Sequence, residues 1–122
     1  MNNLTIIDNF LDDREFRNFM ASLLEKTGYR KVSIDDTCLN NGDDVDDNDL
    51  KAEINGILYT VQTFLNTEIT DAQIEETLED MRKENIPYAI IITNTECKEE
   101  IKRAALLKNI TVLDREFLKQ NL

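Results

Sequence analysis

The chain has 122 residues, 41% hydrophobic and 32% charged, which is the composition of one globular domain (1–122) able to bury a core. Fourteen Lys and Arg stand against 25 Asp and Glu, a formal charge of −11, so the field of the whole molecule repels nucleic acid and DNA contact must rest on a local basic patch. No run approaches the roughly 18 apolar residues of a membrane span, and the opening Met-Asn-Asn-Leu-Thr lacks the basic region of a secretory signal, so a cytoplasmic location with no membrane partner is expected.

Residues 1–11 form a short lead-in. Asp12 with Glu15 three residues on makes a capping-box pattern, and Phe16, Phe19, Met20, Leu23 and Leu24 then recur at helical spacing. Gly28 ends this helix in a left-handed conformation. A first strand follows from Tyr29 to Ile34, with Val32 and Ile34 on one face. Residues 35–48 are an acidic, turn-rich loop. Asp44, Asp46 and Asn48 match the first ligand positions of an EF-hand calcium loop, but Asp49 stands where its glycine belongs and Asn55 where its bidentate glutamate belongs. A solvated loop is the reading that survives. Cys38 and Cys97 have no CxxC spacing and no histidine to join them, so they read as buried or idle thiols rather than a disulfide or metal ligands.

Asp49 to Phe64 is two strands and a turn. Asn55-Gly56 is the dipeptide of a two-residue type I′ hairpin, in which both central residues take positive φ. That turn fixes the register: Ile54 faces Ile57, Ala52 faces Tyr59, Leu50 faces Val61 and Asp49 faces Gln62. Period-two alternation then puts Leu50, Ala52, Ile54, Ile57, Tyr59 and Val61 on a core face. The other face carries Asp49, Lys51 and Glu53 against Leu58, Thr60, Gln62 and Phe64.

Thr70 and Gln73 give a second capping-box signal, ahead of the stripe Ile74, Leu78 and Met81. Pro87 closes that connection. Tyr88 to Thr93 is a continuous apolar run of the kind buried on both faces. Thr95 is the expected cap of a third helix containing Ile101, Ala104, Ala105 and Leu107. Ile110 to Leu113 is a last strand, and Asp114 caps a helix from Arg115 to Leu122. The order is αβββαβαβα, an α/β domain with a mixed β-sheet. Its early strands form an antiparallel meander, and its later strands join in parallel through right-handed crossovers.

The spacing Asp49-x(12)-Gln62, on a Tyr-x-Val-Gln strand after an Asn-Gly turn, resembles the catalytic hairpin of Mrr-type restriction endonucleases, in the PD-(D/E)xK nuclease superfamily. Ile-Ile-Ile-Thr-Asn94, and Val-Leu-Asp-Arg115 with Leu118, extend the likeness to the C-terminus. The resemblance implies a restriction-endonuclease-like three-layer sandwich and DNA cleavage with Mg²⁺, for which Asp49 and Gln62 match the metal-binding positions. Glu25 on the first helix stands where such folds sometimes draw a further ligand; an exposed helix acid is its plain reading. The position of the family lysine holds Phe64, and the glycine-rich lead-in to the aspartate is replaced by Asp44-Val-Asp-Asp-Asn48.

That lysine orients the attacking water and stabilises transition-state charge, so its loss points to a pseudo-nuclease acting as an interaction or regulatory module. The alternative is a live endonuclease with Lys51 as a migrated lysine, against which stands a surface pair of Lys51 with Asp49 or Glu53. Charge for DNA would come from Arg30, Lys31, Lys98, Lys102, Arg103 and Lys108, with Glu99 and Glu100 interrupting the helical set. Phe64 with Leu58 on the polar face suits a protein partner or a homodimer, or cover by the chain's own helices.

Overall fold

The computed structural model describes residues 7–35 and 49–121; the acidic stretch 36–48, with Cys38, Asp44, Asp46 and Asn48, lies outside the described residues. Helix α1 (Asp13–Lys26) leads to β1 (Arg30–Asp35), β2 (Asp49–Ile54), β3 (Ile57–Phe64), α2 (Asp71–Glu84), β4 (Ala89–Thr93), α3 (Glu99–Leu106), β5 (Ile110–Leu113) and α4 (Arg115–Asn121). This is the order expected from sequence.

Local chemistry starts and stops the helices. Asp12 Oδ1 accepts from Glu15 N at 2.9 Å, while Glu15 Oε1 accepts from Leu11 N at 2.7 Å. At the far end Gly28, at φ +108°, lets Tyr29 N donate to Leu24 O at 3.0 Å and Gly28 N to Glu25 O at 3.3 Å, closing the helix with two reversed bonds. Helix α2 has both arms of its capping box, from Thr70 and Gln73. It stops at Asn85, left-handed at φ 58°, just ahead of Pro87.

Helix α3 departs from expectation. Its N-cap is Lys98, with no side-chain cap bond. Thr95 Oγ1 instead donates to Thr67 O at 2.9 Å, and Thr95 N donates to Thr93 Oγ1 at 3.1 Å. The hydroxyl is committed to a carbonyl across the sheet end and is not available to a helix terminus. Leu107, counted in the apolar stripe, is the C-cap residue and 88% exposed.

The five strands lie in the order β1-β2-β3-β4-β5, antiparallel from β1 to β3 and parallel from β3 to β5. The hairpin register is the expected one, from Leu50↔Val61 to Ile54↔Ile57, with Asn55 and Gly56 at φ 55° and 82°. An irregularity between Arg30 and Ser33 interrupts the β1–β2 pairing.

Strand β4 is buried throughout and divides its side chains between two cores. Ile90 and Ile92 join Phe16, Met20 and Leu24 of α1, Leu50, Ala52 and Val61 of the hairpin, and Leu118 of α4. Ala89 and Ile91 join Ile74 and Met81 of α2, Ala105 of α3 and Ile110. Helices α1 and α4 therefore cover one face, and α2 and α3 the other, which makes three layers. Ile57, expected in the core, is exposed, because the hairpin tip extends past the helices. Near that tip Tyr29, Tyr59 and Tyr88 form a row, with ring centroids 6.4 and 5.7 Å apart.

Asp114 joins three segments at the opposite end. Its Oδ2 accepts from Cys97 N at 3.0 Å and lies 3.0 Å from Lys102 Nζ, while Oδ1 accepts from Glu116 N at 3.2 Å. Lys102, one of the basic set counted toward DNA, is thus tied to a buried carboxylate. Burial pushes the Asp114 carboxyl up, but the Cys97 amide and the Lys102 ammonium outweigh it and hold it below the usual value of 3.8. Asp114→Ala should cost about 2–3 kcal/mol at neutral pH, because an ammonium and an amide lose their partner. A carboxyl depressed in the folded state stabilises fully above its unfolded pKa and loses that contribution as pH falls through the folded value. Wild-type protein should therefore lose stability more steeply than Asp114→Ala below about pH 4 in urea titrations across the acid range.

Candidate functional site

The alternation of β3 decides what faces α2. Val61 points into the α1 core, so Thr60 and Gln62 on either side of it point to the opposite layer, as Phe64 does. Lys51 is in register with Thr60 on β2 and shares that face. Asp49 opens β2, in register with Asp35 of β1.

Helix α2 crosses this face and meets it with two carboxylates one turn apart. Glu84 Oε2 lies 3.1 Å from Lys51 Nζ, and Glu84 Oε1 accepts from the buried hydroxyl of Thr60 at 3.0 Å. Asp80 Oδ2 accepts a hydrogen bond from Gln62 Nε2. Above Gln62, the half-buried Phe64 packs against the second core, whose residues include Ile74 and Met81 of α2. The row from hairpin tip to strand end thus runs from an ion pair, through a carboxamide–carboxylate bond, to an aromatic contact.

Of the sequence-identified residues, the structure brings together Lys51, Gln62 and Phe64. Glu25 is not with them: it is exposed on α1, the helix that covers the other face of the sheet. Among the described residues, no group of three or more His, Cys, Asp or Glu side chains is placed to hold a metal ion. The expected basic set is dispersed as well. Lys102 pairs with Asp114, Lys108 lies 3.8 Å from Glu75, and Lys98, Arg103 and Arg30 are exposed.

Asp80 and Glu84 were not among the sequence candidates. Their signal is present but quiet: Thr77, Asp80 and Glu84 follow helical spacing beside the apolar stripe of Ile74, Leu78 and Met81, and Thr77 is fully buried. A polar stripe bordering an apolar one reads as the helix's solvent edge unless the strand opposite is known to be polar.

The family model described as Restriction endonuclease, the Mrr catalytic domain, matches residues 9–122. No curated protein matches the chain. Among solved structures, the crystal structure of AF1548, a protein of unknown function, is similar at a TM-score of 0.55 and 22% identity. The match covers 84% of this chain and 62% of that one, so the present chain spans under two thirds of its length. The likeness supports the fold.

Glu84 is the link most open to test. Glu84→Ala leaves the Thr60 hydroxyl and the Lys51 ammonium without this acceptor, and should lower stability by about 1–2 kcal/mol in denaturant melts. Lys51 retains some solvent, so a double-mutant cycle with Lys51→Met should return a coupling of only about 0.5–1 kcal/mol.

Proposed function

The chain belongs to the Mrr catalytic-domain family of restriction endonucleases, and on that footing we propose that it is a nuclease-fold domain that no longer cuts DNA and serves as an interaction or regulatory module. Phe64 carries the reading. It occupies the position the resemblance assigns to lysine, and it is half-buried, packed against the core that α2 covers. A phenyl ring neither donates a hydrogen bond nor carries charge, and losing one preorganised donor costs about 10²–10³ in rate. The carboxamide of Gln62 is also engaged, through its Nε2, with Asp80.

Mg²⁺ is the ion the family implies, and oxygen donors are the right class for it. Asp49 and Gln62 are the residues that would hold it, and it would supply polarisation of the phosphate and a more acidic bound water. Gln62 brings a neutral oxygen only, and α1 brings no carboxylate to it through Glu25. The charge of −11 further disfavours DNA as the principal ligand.

One observation favours a second reading, that of an active endonuclease using Asp49, Gln62 and a migrated Lys51. Lys51 does share the α2 face with Gln62. Its ammonium lies against Glu84, however, which offsets the charge a transition state would use.

Plasmid cleavage with Mg²⁺ or Mn²⁺ separates the two. Wild type and Asp49→Ala should both leave supercoiled DNA intact. Cutting by wild type that vanishes in Asp49→Ala would overturn the proposal, and a further loss of about 10²–10³ in Lys51→Ala would assign the work to that lysine. Phe64→Lys tests how much geometry survives: cutting by this variant alone would trace the silence to one lost charge.

A further inference from the structure

The exposed large apolar side chains of the described residues gather at the two ends of the sheet. Ile57 and Leu58 begin β3 at the hairpin end, Tyr88 precedes β4 beside them, and Leu106 and Leu107 end α3 just before β5. Leu11, 85% exposed, stands alone at the other end, where the N-terminal segment meets the ends of β4 and β5 through Asn94 Nδ2 to Ile7 O at 2.9 Å and Arg115 Nη1 to Asp8 Oδ1 at 2.8 Å.

Charge is divided along the same axis. Helix α1 turns through Gly28 into Arg30, in register with Glu53 next to the hairpin turn, so α1 ends at the hairpin end. Helices α2 and α3 each return the chain from the end of one parallel strand to the start of the next, and so end there too. Their last turns carry Lys26, Arg82, Lys83 and Arg103, and their first turns carry Asp13, Glu15, Asp71, Glu99 and Glu100. These placements complement the helix dipoles, and they also leave Lys26, Arg30, Lys83 and Arg103 exposed at the same end of the sheet as the apolar side chains of Leu58, Tyr88, Leu106 and Leu107. Glu25, Glu53 and the half-buried Glu84 are acids on that side; at the other end Leu11 is followed by Asp12, Asp13, Arg14 and Glu15, three carboxylates against one guanidinium.

We propose that these two ends are a matched pair and that copies of this chain dock head to tail. Leu11 of one molecule, with the carboxylates that follow it, seats on the patch of Leu58, Tyr88, Leu106 and Leu107 of the next, against Lys83 and Arg103. Charge complementarity selects the occupant: the basic end suits an acidic surface with an apolar centre, and the chain itself presents one. Such a contact joins two different surfaces, so it propagates into a ring or a filament unless it is blocked at one end. It also weakens with salt, because exposed charges are screened beyond about 10 Å at 0.1 M ionic strength.

Sedimentation velocity from micromolar to millimolar protein, at low and high salt, tests the proposal. Wild type should self-associate, less so at high salt. Leu11→Asp and Leu107→Asp, both on solvent-exposed positions and checked for folding by circular dichroism, should each weaken association at least about tenfold. An equimolar mixture of the two variants should form dimers and stop there, because one intact knob meets one intact patch and the remaining ends are both spoiled. A wild type that stays monomeric throughout, a Leu11→Asp protein that associates as strongly as wild type, or a mixture no more associated than its components would each overturn the proposal, and the hairpin-end patch would then belong to a different partner.

Discussion

The turn at Asn55-Gly56 is the constraint on which the rest depends. Two consecutive residues in the left-handed region make a turn whose twist matches the strands it joins, and the pairing of β2 with β3 follows without freedom. A slip of one residue would move Val61 from the α1 core to the polar side and drive Gln62 into apolar surroundings. A buried carboxamide left without partners costs about 1–3 kcal/mol, so the register is protected from both sides of the sheet. Once β3 is set, β4 and β5 add in parallel, and α2 and α3 have only one face left to cover.

That arrangement gives the hairpin's polar face an internal answer. Polar groups brought under a helix must find partners. Here Thr60 and Lys51 find Glu84, and Gln62 finds Asp80. In this chain protein groups meet protein groups, and the aromatic ring of Phe64 closes the upper end of the row against the core.

Much of this was legible in the sequence, because several local signals carry their own mechanism. Asn-Gly specified the turn and hence the register. Asp12/Glu15 and Thr70/Gln73 specified helix starts through hydrogen bonds between near neighbours. The apolar run of β4 specified a strand buried on both faces, which it is, feeding both cores with alternate residues. The misreadings share a cause, which is competition from a distant partner. Thr95 has the chemistry of a cap, but the Thr67 carbonyl, 28 positions away in sequence, takes its hydroxyl. Ile57 has the pattern of a core residue, but pattern does not say where the covering helices end. Asp80 and Glu84 were invisible as site residues because their partners lie on other elements. Lys51 was weighed against residues of its own strand alone, and sequence did not show that Glu84 of α2 also lies 3.1 Å from its ammonium.

The row of Tyr29, Tyr59 and Tyr88 has a spectroscopic consequence. The chain has three tyrosines and no tryptophan, so its near-ultraviolet tyrosine band and its ultraviolet emission arise from this row. All three rings lie toward the hairpin end, away from Phe64 and the sheet end closed by Asn94. The molecule is therefore optically one-sided. Rearrangement around Gln62 and Asp80 can pass without trace in that signal, whereas loosening of the turn registers at once. An unfolding curve followed by tyrosine and one followed by backbone absorption thus observe different parts of the molecule, and any gap between them measures how far one end opens before the other.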